Sequence, residues 1–459
     1  MTDGAERRFD VDGFLNACRV RGVHIRILII LGLVMLVDGY DLFVAGAVLP
    51  VIATAWHVKP SALTGVIVSQ QFGLLTGVLL TGPLSDRFGR KRMLIGCLIG
   101  FGLASFAVTL ARSPAELMAL RFTSAIFFSG ALPNCVSFVS EIAPKRMQAG
   151  LISLVFCGYT AGQLVCASVL AFVIEPFGWQ GGFYMAGLLP LLLCPLVVFF
   201  LPESIRFRVT RDPQDPRIGP MLRQFDPNLA LTGHERFELQ GAERGRRRSV
   251  PIGKLFVGPL MPMTVLLWLA YLLAFTANQL VQNWDTTIFH HLAAIPYKRV
   301  ATMLACRTVL GIFGMATAGF VMDRFGSARA LAVFFALCGV VYAALAFSNL
   351  ASSTGFVVYA LSGYAINSAL SALNCQAAIV YPPSVRVTGV AWASGFGRLG
   401  GMLGPVIGGV MLAGHPSTTS IYLTTAAPEF LGALIAAGML WAGRNSRRKP
   451  EPEPAVVSA

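Results

Sequence analysis

The sequence predicts an all-α membrane protein whose twelve transmembrane helices form two pseudo-symmetric six-helix halves. Three observations predict this fold class: a low content of charged residues, twelve long apolar stretches, and a motif that occurs once in each half. Charged residues make up 13% of the 459 residues, whereas soluble domains average about 25%. Hydrophobic residues make up 55%, so the chain lacks the charge to cover a soluble surface of this size.

Each apolar stretch is long enough to cross a bilayer, which takes about 20 mostly apolar residues in a helix. Several stretches contain glycine and proline, which membrane helices tolerate because neighbouring helices satisfy the freed backbone groups. No series of short alternating segments indicates a β-barrel. We predict helices 1 to 12 at residues 26–52, 62–83, 93–111, 116–139, 149–174, 182–201, 259–284, 300–321, 328–348, 355–380, 388–413 and 419–442.

One long polar stretch divides the apolar ones into two sets of six, and it sets the expected domain organisation. The expected parts are a cytoplasmic N-terminal segment (1–25), an N-terminal six-helix bundle (26–202), a cytoplasmic central loop (203–253), a C-terminal six-helix bundle (254–442) and a cytoplasmic tail (443–459).

The distribution of lysine and arginine predicts the orientation. The chain has 36 Lys and Arg against 22 Asp and Glu, a net charge of +14, and 28 of the 36 cations fall on the side that holds both termini. Because cytoplasmic loops of membrane proteins are enriched in these residues, we expect both termini in the cytoplasm. The basic excess then reflects topology, and no nucleic-acid partner is needed to explain it.

A charged, glycine-containing motif follows helix 2 and recurs after helix 8. It reads Gly-Pro-Leu-Ser-Asp-Arg-Phe-Gly-Arg-Lys-Arg at 82–92 and Gly-Phe-Val-Met-Asp-Arg-Phe-Gly-Ser-Ala-Arg at 319–329. Duplicated halves are typical of transporters that rock about a central site. The charged residues beside the motif are either topology anchors or a conformational latch, and we predict that both roles apply. The predicted gating or latch residues are Asp86, Arg87, Arg90, Glu141, Asp323 and Arg324.

Two acidic residues lie inside predicted helix 1, where an ionisable group is costly and therefore indicates a functional site. Asp38 and Asp41 are three residues apart, so they share one face of the helix. Two carboxylates desolvated together disfavour double ionisation, which favours proton binding at one of them. We predict that Asp38 and Asp41 couple transport to protons; the alternative is a structural ion pair with a neighbouring arginine.

Two buried arginines are the predicted binding sites for an anion. Arg121 in helix 4 lies at a depth comparable to that of Asp41, so its partner is either a substrate carboxylate or an acidic residue of helix 1. Arg398 lies near the middle of helix 11, where Glu429 of helix 12 is the one distant carboxylate candidate. An anionic substrate is therefore the expected partner of Arg398.

Other residues are weaker candidates. Asp285, at the outer end of helix 7, is expected to pair with Arg307 of helix 8 as an outer gate, and Trp284 is expected to anchor at the membrane interface. Candidate cavity-lining residues that contact the substrate, with helix packing as the alternative, are Tyr40, Asn367 and Trp392.

The repeated motif resembles that of the major facilitator superfamily. With twelve predicted helices in two halves, the resemblance covers nearly the whole chain. Asp-Gly-Tyr-Asp at 38–41, the segment from Arg121 to Asn134, and Gly-Arg at 397–398 resemble the aromatic acid:proton symporter family. The resemblance implies proton-driven uptake of aromatic carboxylates such as hydroxybenzoates across a bacterial inner membrane. It assigns coupling to Asp38 and Asp41. Where that family commonly has Trp-Leu-Pro-Thr at the end of helix 7, this chain has Trp-Asp-Thr-Thr at 284–287. The missing proline and the added carboxylate are expected to alter the outer vestibule.

The resulting hypothesis is a proton-coupled symporter that imports an aromatic carboxylate by alternating access and works as a monomer. Its partners are the acid, the proton and the lipid bilayer. Two alternatives remain: an exporter of drugs or metabolites with the same fold, and a membrane sensor that binds aromatic acids without transporting them. An enzyme is not expected, and neither a metal nor a cofactor is, because no catalytic motif, nucleotide loop or cysteine pair of metal-binding spacing occurs.

Overall fold

A computed structural model describes residues 8–144, 147–229, 231, 235–239, 252–257, 260–381, 385–414 and 417–446. Within these ranges, the side chains at 79, 82, 83, 86, 149, 153, 252, 254, 323, 378, 386–388, 391 and 442–446 are not among those it describes.

The described chain contains twelve helical spans long and apolar enough to cross a membrane, which confirms the predicted fold class. The spans are α2, α3, α4, α5 with α6, α7, α8, α11 with the π-helical turn that follows it, and α12 to α16. The elements in chain order are β1 (Arg8–Asp10), α1 (Val11–Ala17), α2 (Gly22–Ala55), α3 (Thr64–Phe88), α4 (Arg90–Val108), α5 (Pro114–Phe128), α6 (Ala131–Ile142), α7 (Gln148–Phe177), α8 (Gln180–Phe200), α9 (Ile205–Arg211), α10 (Ile218–Phe225), β2 (Arg236–Glu238), α11 (Leu260–Thr287), the π-helical turn Ile288–Leu292, α12 (Tyr297–Phe325), α13 (Ser327–Ala346), α14 (Ser353–Val380), α15 (Arg386–Ala413) and α16 (Thr418–Ser446).

The structure differs from the predicted helices in two places. Predicted helix 4 consists of two helices, α5 and α6, which are separated at Ser129 and Gly130. Predicted helix 2 continues to Phe88, so most of the charged motif forms its last turns and not a loop. A single glycine, Gly89 with φ of 96°, separates α3 from α4, and Gly326 with φ of 87° separates α12 from α13. Both angles lie in the region that favours glycine.

The chain divides into two compact units, each with its own buried core. In unit 1 the core is formed by α2, α4 to α8 and the short elements at 8–17 and 205–238. In unit 2 it is formed chiefly by α11 to α14 and α16. The units are Met1–Arg247, Asp285–His291 and Pro296–Ala305 for unit 1, and Arg248–Trp284, Leu292–Ile295 and Cys306–Ala459 for unit 2.

The polar stretches on either side of the N-terminal helices fold together, which the sequence analysis did not predict. Phe9 in β1 pairs with Phe237 in β2 in a parallel two-stranded sheet, a small β addition to the predicted all-α fold. Amphipathic α10 buries Ile218, Leu222 and Phe225 in the core that it shares with α1. We call β1, α1, α9, α10 and β2 the polar cap.

Close contact between α2 and α7 fixes the position of the acidic residues in α2. A Cβ atom on Gly39, which lies between those residues, would overlap the main-chain carbonyl of Tyr159 on α7. Gly158 and Gly162 of α7 face main-chain carbonyls of α2 in the same way. Small residues of this kind let membrane helices bring their backbones together.

Replacing Gly39 with alanine should therefore loosen this contact. We expect Gly39→Ala to destabilise the folded protein by about 1–3 kcal/mol, the usual effect of overpacking a core. The measurement is thermal stability of the purified protein in detergent. Gly32→Ala on the same helix is the matched control, because a Cβ there meets nothing within 4 Å. Equal melting of the two variants would contradict this account of the contact.

Candidate functional site

A fully buried ion pair joins α2 to α5 inside unit 1. Arg121 Nη1 lies 2.7 Å from Asp41 Oδ1, and Arg121 Nη2 donates to Asp41 Oδ2 at 3.2 Å. The side chains are 0% and 1% exposed. Breaking a buried pair by removing one partner typically costs about 3–5 kcal/mol, because an uncompensated charge remains. The structure therefore brings together two of the predicted residues, in one of the two partnerships that the sequence allowed for Arg121.

A third helix, α3, contributes a polar side chain to this ion pair. Gln70 of α3 donates to Asp41 Oδ2 at 3.3 Å, and the guanidinium of Arg121 lies 5.2 Å from the ring centroid of Phe183 on α8. Arg121 Nε has no hydrogen-bond partner among the described residues. Sequence reasoning missed Gln70, since a single glutamine within a predicted span gives no distinctive signal.

The other predicted residues of α2 are also buried. Asp38 is 4% exposed and lies within electrostatic range of Cys135 on α6. Tyr40 is 0% exposed, and its hydroxyl donates to the Gly182 carbonyl at 3.1 Å. This contact uses the Tyr40 hydroxyl in packing between α2 and α8, which favours the packing alternative for Tyr40 over substrate contact.

A second ion pair lies where α4, α6 and α9 meet. Arg90 Nη2 is 2.7 Å from Glu141 Oε1, and Ser204 donates its hydroxyl to the other oxygen of Glu141. Glu203 accepts hydrogen bonds from the Lys91 and Ser204 amides, both at 3.0 Å. Two of the predicted latch residues, Arg90 and Glu141, thus form an ion pair, and sequence analysis did not predict the contribution of Ser204.

The remaining latch candidates lie at the ends of α3 and α12. Arg87 and Arg324 are exposed, and each guanidinium lies over the ring of the following phenylalanine, 5.6 and 5.8 Å from its centroid. The side chains of Asp86 and Asp323 lie outside those that the structure describes. The two copies of the motif therefore share this local arrangement, and the predicted role of the two aspartates stays a prediction.

In unit 2 the predicted substrate residues have different environments. Arg398 on α15 is half-buried. Trp392, 49% exposed, stacks on Trp268 of α11 at 6.3 Å between centroids. Asn367 is half-buried and donates to the Gly363 carbonyl one turn earlier in α14. Neither oxygen of Glu429 accepts a hydrogen bond among the described residues, so Glu429 does not serve as the hydrogen-bonded counter-ion of Arg398.

The predicted outer-gate residues are both buried. Asp285 is 0% exposed and belongs to unit 1, whereas Arg307 is 8% exposed and belongs to unit 2, so their pairing stays a prediction. Arg307 Nε donates to Ser362 Oγ at 3.2 Å. Trp284 is not an interfacial anchor: it is fully buried, and its indole donates to the Pro405 carbonyl at 3.1 Å because α11 and α15 pack tightly there.

Unit 1 contains a further polar contact that sequence analysis missed. The hydroxyl of Tyr297, the first residue of α12, donates to the Ala47 carbonyl near the end of α2 at 3.0 Å. His291 Nε2, in the π-helical turn, lies 3.4 Å from the Pro50 carbonyl. Main-chain acceptors of this kind have no sequence signature.

Comparison with known proteins fits the twelve spans, the duplicated motif and the buried charges. The profile of the Major Facilitator Superfamily matches residues 31–380 and 300–458. The chain belongs to the Major Facilitator Superfamily. Its members are transporters and not enzymes, so the chain is a multi-pass membrane transporter.

Two relatives are similar to this chain over most of its length. The chain is 31% identical over 425 residues to the gallate transporter of Pseudomonas putida, covering 93% of this chain and 94% of that one. It is 32% identical over 409 residues to the 4-hydroxybenzoate transporter PcaK of Pseudomonas aeruginosa, covering 89% and 90% of the two chains. These relatives confirm the predicted resemblance to aromatic acid transporters.

The structural comparison supports the fold. The crystal structure of a bacterial homologue of the human lysosomal transporter Spinster, in an inward-facing and unoccupied conformation, matches with a TM-score of 0.68. It shares 15% identity, and the match covers 95% of this chain and 100% of that one.

Proposed function

We propose that this transporter imports an aromatic carboxylate together with protons, and that the Asp41–Arg121 pair couples the two. The observation that carries the proposal is the burial of this pair, with both Nη atoms of Arg121 engaged by Asp41. Two relatives are a gallate transporter and a 4-hydroxybenzoate transporter, and both of these acids are hydroxylated benzoates, which supports this substrate class.

The coupling chemistry follows from competition for one guanidinium. A carboxylate substrate and an ionised Asp41 both favour the paired Nη atoms of Arg121, since guanidinium and carboxylate form bidentate bonds. Protonation of Asp41 removes its charge and releases Arg121 to the substrate. Loss of the proton restores the pair and displaces the substrate. In this scheme proton and anion bind together and leave together.

Asp38 adds a second carboxyl close to the exchange site. It lies one turn from Asp41 on the same helix, and both are buried. Two neighbouring carboxylates disfavour simultaneous ionisation, so a negative charge on Asp38 promotes protonation of Asp41. Asp38 is therefore proposed to tune proton binding at Asp41.

Substrate contact in the C-terminal half is assigned to Arg398, with Trp392 and Asn367 as weaker candidates. Arg398 lies twelve residues into α15, in a glycine-rich stretch that suits close helix packing. A cation at this depth favours an anionic ligand. Asp285 and Arg307 are proposed to form the outer gate.

Gating on the inner side is assigned to the charged connectors. Arg90 and Glu141 are proposed to act with Asp86, Asp323 and Arg324 as a latch that stabilises one state of the cycle. The contact of Glu141 with Ser204 ties this latch to α9 of the polar cap. The distribution of Lys and Arg supports an orientation with the polar cap and both termini in the cytoplasm. A bacterial inner membrane and a monomeric transporter complete the proposal.

Purified protein in liposomes tests this function. With an inside-alkaline pH gradient, we expect accumulation of labelled 4-hydroxybenzoate or gallate, and an alkaline shift outside as protons enter with the acid. Collapse of the gradient with a protonophore should release the accumulated acid. Export under the same gradient would favour the exporter, and binding without counterflow would favour a sensor.

A further inference from the structure

A second buried carboxyl lies in unit 2, far along the chain from the acidic residues of α2. Glu429, in α16, is 0% exposed. Neither of its oxygens has a hydrogen bond of normal geometry among the described residues, and the polar group beside it is the thiol of Cys338 on α13. A thiol is a weak donor and does little to stabilise a carboxylate.

The same thiol lies within electrostatic range of a cation. Arg307, on α12, lies within electrostatic range of Cys338, as Glu429 does. Arg307 is held on α14, where Nε donates to Ser362 and the guanidinium lies 5.7 Å from the ring centroid of Tyr359. Among the residues that the structure describes, the titratable and charged groups found to interact at this site are Cys338 on α13 and Arg307 on α12.

These residues lie at similar depths. Consecutive spans cross the membrane in alternating directions. The N-terminal ends of α12 and α16 therefore lie on the same side of the membrane as the C-terminal end of α13. At about 1.5 Å per residue, Arg307, Cys338 and Glu429 lie between about 12 and 17 Å from those ends. Glu429 can therefore approach Arg307 by movement of α16 relative to α12 without a large change in depth.

The energetics decide the charge state of Glu429 in this arrangement. An ionised carboxylate without hydrogen bonds in a dry interior is so costly that the group takes up a proton instead. Beside a cation the same carboxylate is stabilised and releases the proton. The surroundings of Glu429 in this structure thus favour its protonated form, and an approach to Arg307 would favour its ionised form.

We propose that Glu429 is a proton-binding site of the C-terminal bundle, which gains and loses a proton in each transport cycle. Arg307 stabilises the ionised form, and the released proton passes to water on the inner side. This inference rests on the proposed proton coupling and adds a second coupled proton to the one assigned to Asp41.

The test measures protons moved per substrate in liposomes that contain a trapped pH indicator. Glu429→Gln keeps the shape of the side chain but carries no titratable proton. We expect its proton-to-substrate ratio to fall by one from the wild-type value, and Glu429→Asp to restore the ratio. The exposed Glu175→Gln, on α7, should match the wild type. Substrate counterflow above that of protein-free liposomes verifies that each variant is folded.

A second measurement needs no variant. Dicyclohexylcarbodiimide reacts with protonated carboxyls in apolar surroundings, and peptide mass spectrometry locates the adduct. We expect Glu429 of the wild type to be labelled, with labelling that falls as pH rises. An unchanged ratio in Glu429→Gln, or labelling that is absent or independent of pH, would overturn the inference. Substrate uptake by the wild type without any proton movement would instead overturn the proposed proton coupling itself.

Discussion

Replacing Asp41 with asparagine should remove the part of the pH-driven substrate accumulation that the proton at Asp41 contributes. Asparagine resembles a permanently protonated Asp41, so Arg121 stays available to the carboxylate but no proton is carried at this position. A pH difference of one unit corresponds to 1.36 kcal/mol, which supports about tenfold accumulation for each coupled proton. We expect the variant to lose the factor of about ten that this site contributes.

The measurement is uptake by liposomes at a fixed gradient, with the amount of inserted protein determined for each variant. Asp226→Asn is the matched control, since it removes the same type of charge from a half-exposed pair with Arg21 at 3.0 Å. Such surface pairs contribute little, so the control should accumulate substrate normally. Normal accumulation by Asp41→Asn, with an unchanged dependence on pH, would reject the coupling role of Asp41.

Replacing Arg121 should lower the stability of the fold as well as transport, unlike the replacement of Asp41. Arg121→Gln leaves Asp41 fully buried with Gln70 as its remaining hydrogen-bond partner. The cost of one uncompensated buried charge is about 3–5 kcal/mol, which is a large part of the stability of a typical domain. We expect little folded protein and no uptake.

The double variant separates stability from transport. Asp41→Asn combined with Arg121→Gln removes both charges, so most of the folded protein should return while uptake stays absent. Size-exclusion chromatography of a fluorescent fusion, before and after heating, measures the folded fraction. Arg21→Gln, which breaks the half-exposed pair with Asp226, is the control for loss of an arginine. A single Arg121→Gln variant as stable as the wild type would show that the pair has no structural importance.

Patterns that repeat along the chain allowed most of the fold to be predicted. Twelve spans follow from hydropathy, and the two halves follow from the motif copies around Asp86 and Asp323. The depths of Asp41 and Arg121 could be compared from helix arithmetic alone, so their partnership was foreseeable as one of two possibilities. What sequence could not do was choose between a protein carboxylate and a substrate for Arg121, because that depends on the rotation of α2 and α5.

Other features were missed for physical reasons that differ from case to case. Gln70 and Ser204 are common residues in membrane helices and loops, and their role depends on the helix that packs against them. The break at Gly130 was missed because membrane helices tolerate glycine, so a glycine within an apolar stretch does not predict a break. The polar cap had a readable signal, since Ile218, Leu222 and Phe225 follow helical spacing within a polar stretch.

The most direct test of the account is proton uptake on substrate binding, measured with purified protein in weakly buffered detergent solution. If binding of an aromatic carboxylate to Arg121 requires protonation of Asp41, the wild type should take up protons as 4-hydroxybenzoate is added at neutral pH. Asp41→Asn should bind the same acid with that uptake reduced by the proton assigned to Asp41. Equal proton uptake by wild type and variant, with substrate bound to both, would contradict the exchange of Asp41 for substrate at Arg121.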